Sequence, residues 1–306
     1  MNELQDFRLD DLYEKMQLED DEFQDWLVSL GLLNGRYPCT CGNSMKKKRR
    51  NSGQIVWECN RAYHRPTQIR RGYKDGTFFE NSNISFQQVF KLSYLWAMNH
   101  SVEYAEYETQ LAHRIVVSWY KKFRKICKRY FHANPIRLGG NGVIVEADET
   151  FMTRRHGGRG RPVRRRSKWL FGIVERGSGR SYYKIVRRRD SATLLSLILR
   201  HVLPNTVVHT DEWRAYRALA RFPMFRHRFV NHGANFVDPQ DRTLHTQTIE
   251  GKNGQWKEWV RRRHGVIDQI IPDLILEFNW RERFGRRNVV FFNFWSQVAD
   301  MYPCIQ

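Results

Sequence analysis

Three carboxylates and a group of sulfur and imidazole ligands carry the chemistry this sequence can offer. Asp148 and Asp211 each follow an apolar run that reads as a β-strand, VIVEAD and TVVHTD. Residues at the carboxyl ends of strands in an open α/β sheet face the crevice where ligands bind. Glu250 adds a third acid on a helix after a polar stretch. Carboxylates brought together raise one another's pKa unless a cation compensates. Converging acids therefore favour a hard divalent ion with oxygen ligands, Mg²⁺ or Mn²⁺. Two such ions about 3.5–4 Å apart would clamp the attacking and leaving oxygens of a phosphodiester. A lone Asp at a strand end is more often a cap for the next turn. Two strand-end acids and a helical acid in a basic chain are what separate this case from that one. Glu146 shares a strand face with Asp148 and is a neighbouring candidate ligand. Asn253, one turn after Glu250, is a candidate amide ligand in its place.

Cys39, Cys41, Cys59 and His64 supply four soft or borderline ligands within 26 residues. A tetrahedral Cys₃His zinc site fits them and would provide folding energy that a small core cannot. The first pair is C-x-C where a knuckle usually has C-x₂-C, and the fourth ligand is His rather than Cys. The competing reading is three unligated cysteines in a small β-module. Cys127 and Cys304 read as ordinary helix and tail cysteines. Five cysteines in a long chain do not suit a disulfide scaffold and point to a reducing, intracellular setting.

The chain has 306 residues and a formal charge of +20. Ten acids and two bases in residues 1–27 give that head −8, leaving about +28 for the rest. Such an excess calls for a polyanionic partner, with nucleic acid first, because neutralising phosphates releases counterions. No apolar run is long enough to span a membrane, and the acidic N-terminus does not read as a secretory signal. The sequence 154–166 holds seven Arg among thirteen residues, a phosphate-seeking loop. Lys46–Arg50 reads either as a phosphate contact and nuclear import signal or as a solvated charged turn.

These groups must be positioned by four segments. Residues 1–34 read as short acidic amphipathic helices and 35–82 as a turn-rich, strand-like module holding the cysteines. Residues 83–138 read as helices with a polar break at 99–101, and 139–306 as an α/β domain closed by helices. Within the last, Val143–Val145 leads a strand ending at the acids 146–149. Trp169–Val174 and Tyr182–Val186 make a hairpin, and a helix from Asp190 or Ser191 reaches Val202. Thr206–His209 is a strand, 231–246 a loop, and Ile249–Arg263 and Ile267–Trp280 helices.

The runs VEADETFM, HTDEWRAY and HTQTIEGKNGQWK, in that order, resemble the catalytic domain of DDE transposases of the Merlin type, relatives of bacterial insertion-sequence transposases. EFNWRERF (Glu277–Phe284) matches that family's distal helix, so the resemblance runs from Cys39 to Phe284. It implies an RNase H-like catalytic domain that uses Mg²⁺ or Mn²⁺ on Asp148, Asp211 and Glu250, with Lys257 on the same helix face contacting phosphate. It also implies a zinc ribbon followed by a helix-turn-helix-like DNA-binding region. The basic residues of the latter's later helix run from Lys121 to Arg129. The activity implied is cut-and-paste transposition, with terminal inverted repeats and target DNA as partners and a homodimer or larger assembly. A eukaryotic source would place the protein in the nucleus. A domesticated DNA-binding derivative and a metal-dependent nuclease of the same fold class are the rival readings.

Overall fold

The computed structural model describes residues 1–64, 67–152, 168–230, 241–263 and 266–306. The Arg-rich run 154–166 and most of the loop expected at 231–246 lie outside them. The chain divides into two units, 1–126 with 284–306, and 127–283. The division differs from the expected single domain 139–306, because the last helix goes with the N-terminal residues.

In the first unit, α1 (Leu9–Met16) and α2 (Asp20–Ser29) open the chain. The acidic head is structural: Leu4, Leu12, Phe23 and Leu27 are fully buried while its carboxylates face outward. A small antiparallel sheet follows, β1 (Tyr37–Pro38), β2 (Ser44–Arg49), β3 (Ile55–Glu58) and β4 (Arg70–Gly72) in sequential order. Lys46–Arg49 are thus a strand, not a turn. Lys48, Arg50 and Arg70 converge on the buried Glu58, so part of this basic run neutralises an internal acid. Three helices come next, α3 (Phe86–Ala97), α4 (Val102–Thr109) and α5 (His113–Ala133). Ser85 and Ser101 cap α3 and α4 by accepting from Gln88 N and Tyr104 N. Gln110, in the left-handed region at φ 53°, stops α4 and turns the chain into α5. Phe90 sits at the centre of an aromatic core, edge-on to Phe7, Phe23 and Trp26 and stacked on Trp295 at 5.3 Å.

The second unit holds a five-stranded sheet. Its strands are β5 (Ile144–Phe151), β6 (Trp169–Glu175), β7 (Ser181–Val186), β8 (Thr206–Asp211) and β9 (Phe225–Val230). They lie in the order β7-β6-β5-β8-β9. The pairs β5–β6 and β6–β7 are antiparallel, and β5–β8 and β8–β9 are parallel. In chain order this is 3-2-1-4-5 with a single reversed strand, the RNase H-like arrangement. A helix, α6 (Ser191–His201), makes the crossover from β7 to β8, capped by Asp190 accepting from Thr193 N. Alternation sends Val145, Ala147, Phe171 and Ile173 to one face, under α6 and the 3₁₀ helix Arg214–Arg221. Leu170 and Val174 go to the other face. There they meet Ile249 and Trp256 of α7 (Gln247–Arg261) and Ile275 and Phe278 of α8 (Ile271–Phe284). After α8 the chain returns to the first unit as α9 (Val290–Met301).

Candidate functional site

The sheet order reverses between β5 and β8, and the acids collect there. Asp148 lies within β5 rather than at its end, because β6 pairs with that strand as far as Phe151↔Trp169. The parallel register Glu146↔His209, carried two residues further, sets Asp148 beside Asp211, the last residue of β8. Asp148 and Glu146 both face α7, and Glu149 faces the other side, as alternation requires.

Position 172, opposite Asp148 on β6, has to be glycine. A Cβ there would lie 2.9 Å from Ile249 Cδ1 and 2.5 Å from Tyr183 Cε1. Gly172 lets α7 approach the sheet closely enough for its side chains to reach Asp148. Asn253 Nδ2 donates to Asp148 Oδ2 at 2.9 Å, and Asn253 Oδ1 is buried with no partner among the described residues. Glu250, three residues earlier, accepts from Thr246 Oγ1 at 3.0 Å. Asp211 Oδ1 accepts from the backbone N–H of Trp213 at 3.1 Å. Burial, followed by the charges of Glu149, Asp211 and Glu250, pushes the Asp148 carboxyl up to about 7. That mutual repulsion means the three expected acids share one electrostatic neighbourhood. All three side chains offer oxygens, the set a hard divalent cation takes. Lys257 lies two turns beyond Glu250 on α7, partly buried.

Glu146 does a different job from that of a neighbouring ligand. It is fully buried, and both its oxygens are used: Oε1 by Arg176 Nε and Thr248 Oγ1, Oε2 by the backbone N–H of Ile249. The carboxylate therefore clamps the positive first turn of α7 to the central strand. Arg176 also donates to the carbonyls of Thr243 and His245, fixing the chain that leads into α7. Arg176→Ala would take the arginine from a buried carboxylate that keeps only its bonds from Thr248 and Ile249 and the nearby His245, and is expected to cost about 3 kcal/mol in urea unfolding. An effect under about 1 kcal/mol, typical of a surface ion pair, would show that the clamp is not needed. Sequence reasoning missed Arg176, because one Arg after a strand in an Arg-rich chain gives no signal. EFNWRERF reinforces the same helix pair, with Glu282 meeting Lys252 and the buried Glu277 meeting Arg281 and Arg263.

Glu149, on the opposite face, accepts from the buried Tyr216 hydroxyl and lies 4.0 Å from Arg189. Burial outweighs both contacts and pushes its carboxyl up to about 7. A carboxyl whose pKa is raised on folding stabilises the native state fully below its unfolded value, and that contribution is lost as pH rises through the folded one. Replacing Glu149 with Gln removes this dependence. The stability gain of Glu149→Gln over the native chain is expected to be small near pH 5 and to reach about 2–3 kcal/mol at pH 8. Urea titrations at the two pH values check it, and a gain largest at pH 5 would reverse the sign.

In the first unit, Cys39, Cys41, Cys59 and His64 present ligand atoms that all lie within 4.8 Å of one another. Cys41 Sγ is 3.8 Å from Cys59 Sγ, and Cys39 Sγ is 3.8 Å from His64 Nε2. A tetrahedron with bonds of about 2.3 Å to sulfur has edges of about 3.8 Å. The C-x-C spacing works because Gly42, at φ 79°, closes a turn in which Gly42 N donates to Cys39 O. The Tyr63 hydroxyl, then the backbone N–H of Asn43, hold the Cys41 thiol down to about 6.

Residues 137–283, nearly the whole of the second unit, match the ISXO2-like transposase domain. This segment is similar to DDE transposases. A transposase-like protein of Haemophilus influenzae, itself uncharacterized, is 29% identical over 105 residues, spanning 33% of this chain and 78% of that one. Two solved structures are similar at low identity. The HTLV-2 integrase catalytic core domain in complex with magnesium has a TM-score of 0.30 and 13% identity over 47% of this chain and 86% of that one. The simian T-cell lymphotropic virus intasome with the PP2A regulatory subunit B56 gamma has a TM-score of 0.33 and 14% identity, covering 63% and 65%. The fold class rests on the strand order. Among the described residues no helix is long and apolar enough to cross a membrane.

Proposed function

We propose that the chain is a DNA transposase of the cut-and-paste type, cutting phosphodiesters at element ends and joining the freed 3′ ends to target DNA. The observation that supports this best is the convergence of Asp148, Asp211 and Glu250 from three elements, where burial, then Glu149, Asp211 and Glu250, push the Asp148 carboxyl up. Like charges brought together in a basic chain are costly unless a cation and a polyanion complete the site. Asp148, Asp211 and Glu250 would hold Mg²⁺ or Mn²⁺. Such ions, when bound, polarise phosphate oxygens and lower the pKa of water. Asn253 would fix the direction of Asp148 Oδ2 toward such an ion. Lys257 would meet donor or target phosphate.

In the first unit, Cys39, Cys41, Cys59 and His64 would bind Zn²⁺, and the short α4, its turn and α5 would act as a helix-turn-helix-like DNA reader. Two α5 bases are engaged within their own units, with Lys122 over the rings of Phe78 and Trp119 and Lys128 paired with Asp273. The DNA-facing set is therefore narrower than the run from Lys121 to Arg129. Handling two ends together calls for a dimer or larger assembly.

Labelled duplexes carrying the inverted repeats that flank the gene test the reading. Joined products in Mg²⁺ are the expected result. Cleavage without joining would make the protein a nuclease, and binding without either would make it a DNA-binding derivative.

A further inference from the structure

Two large aromatic side chains stand in solvent beside Asp211, where folding gives them no reason to be. Trp213 is 41% exposed and Phe229 is 53% exposed. Trp213 follows Asp211 by two residues, and Phe229 pairs with Thr210 on the adjoining strand. Both line a shallow notch with Asp211, Glu212, Tyr216, Arg217 and His227.

One face of the Trp213 ring is backed by charge. The Arg189 guanidinium lies 4.7 Å from its centroid and 3.6 Å from that of Trp169. Arg189 is itself held by the buried Glu149. The Trp213 indole N–H donates to Arg189 O at 3.2 Å, which fixes the ring's orientation. An aromatic ring held this firmly, with an arginine against it and 41% of its residue exposed, is suited to receive a flat π-surface. The notch is too shallow to enclose an aliphatic anchor from a protein partner, and the exposed Arg217 beside it suits a phosphate.

We infer that Trp213 and Phe229 form a stacking platform for one unpaired nucleobase of the DNA substrate, adjacent to the phosphate processed at Asp211. The inference rests on the phosphodiester reading of Asp148, Asp211 and Glu250, and adds to it that the duplex is opened there by one nucleotide. Taking a base out of the stack costs a few kcal/mol, and stacking on the platform offsets it. Every base has a π-face, so the platform tolerates any base and contributes position rather than sequence preference.

The test uses the full chain, with its zinc retained, and duplex ends carrying 5-iododeoxyuridine at one position at a time, irradiated at long wavelength in buffer without Mg²⁺ or Mn²⁺. Cross-linking from one position near the strand end to the peptide containing Trp213 or Phe229 is expected. Affinity for the paired end should fall by about 5- to 150-fold in Trp213→Ala and stay within about threefold in Trp213→Phe, which keeps a ring but loses the bond to Arg189. Equal losses in the two variants would assign Trp213 to holding Arg189 and overturn the platform, as would cross-links mapping only to other peptides. Neither readout needs cleavage, so the two ideas fail separately. Cross-linking through Trp213 in a chain that cuts nothing in Mg²⁺ would keep the platform and sink the phosphodiester reading. Cleavage without that cross-link would do the reverse, and no binding to DNA would end both.

Discussion

Asp148→Asn is expected to bind DNA ends and leave them uncut. The substitution keeps the shape, and the new amide oxygen still accepts from Asn253 Nδ2, so the β5–α7 contact survives. What it removes is the charge that would hold a divalent ion against the scissile phosphate. Loss of several kcal/mol of transition-state stabilisation corresponds to about three orders of magnitude or more in rate. Because burial and like charges raise this carboxyl to about 7, the variant should also be at least as stable as the native chain at pH 8. Uncut DNA together with an undiminished melting temperature is a combination that simple misfolding does not produce. Asp211→Asn and Glu250→Gln should behave alike in cleavage assays. Glu146→Gln should differ, losing stability because it loosens the first turn of α7. Full cleavage by Asp148→Asn would remove this residue from the site.

Chelation should have the second large effect. The β1–β4 sheet has few apolar residues to hold it, with Met45, Val56, Trp57 and Cys59 among those buried, and β1 is two residues long. Structural zinc in small domains contributes an apparent 10–16 kcal/mol or so, more than such a sheet can gain from burial. Stripping metal with a strong chelator, or replacing Cys59 with Ser, should expose residues 37–72 to protease and weaken DNA binding. The thermal transition of 127–283 should remain. Metal analysis finding no zinc in protein whose sheet resists protease would refute this.

The parts of the fold readable from sequence were those with strong periodicity or end signals. Strands β6, β7 and β8 and helix α6 with its Asp190 cap have apolar runs of the right period. Strand β9 went unread because FRHRFV is basic and half-exposed; it is an edge strand whose stability comes from its parallel partner. The position of Asp148 was misjudged for a related reason. A strand that continues through EADET carries acids whose burial makes sense only once Arg176, Tyr216 and α7 are in place, and those contacts span up to 105 residues. The cysteine cluster was legible from composition alone, although its irregular C-x-C spacing needed the Gly42 turn to become geometrically sensible. The Asn253–Asp148 bond had no signal beyond a helical turn of spacing. Membership of α9 in the first unit had none, since an apolar amphipathic helix does not say which core it will join.

That last feature has a consequence for how the protein is made. The first unit is interrupted by the whole second unit, and α9 supplies Phe291, Phe294 and Trp295 to its aromatic core. During synthesis at about 5–20 residues per second, the N-terminal helices wait roughly 8–30 s while 127–283 is made and folds on its own local contacts. Until the ribosome reaches α9, the nascent chain carries a finished five-stranded sheet attached to an aromatic cluster missing one wall. The hazard during this interval is capture of that open wall by another nascent chain. A ribosome stalled before residue 290 would yield a product with a folded RNase H-like unit and an N-terminal part dependent on a chaperone.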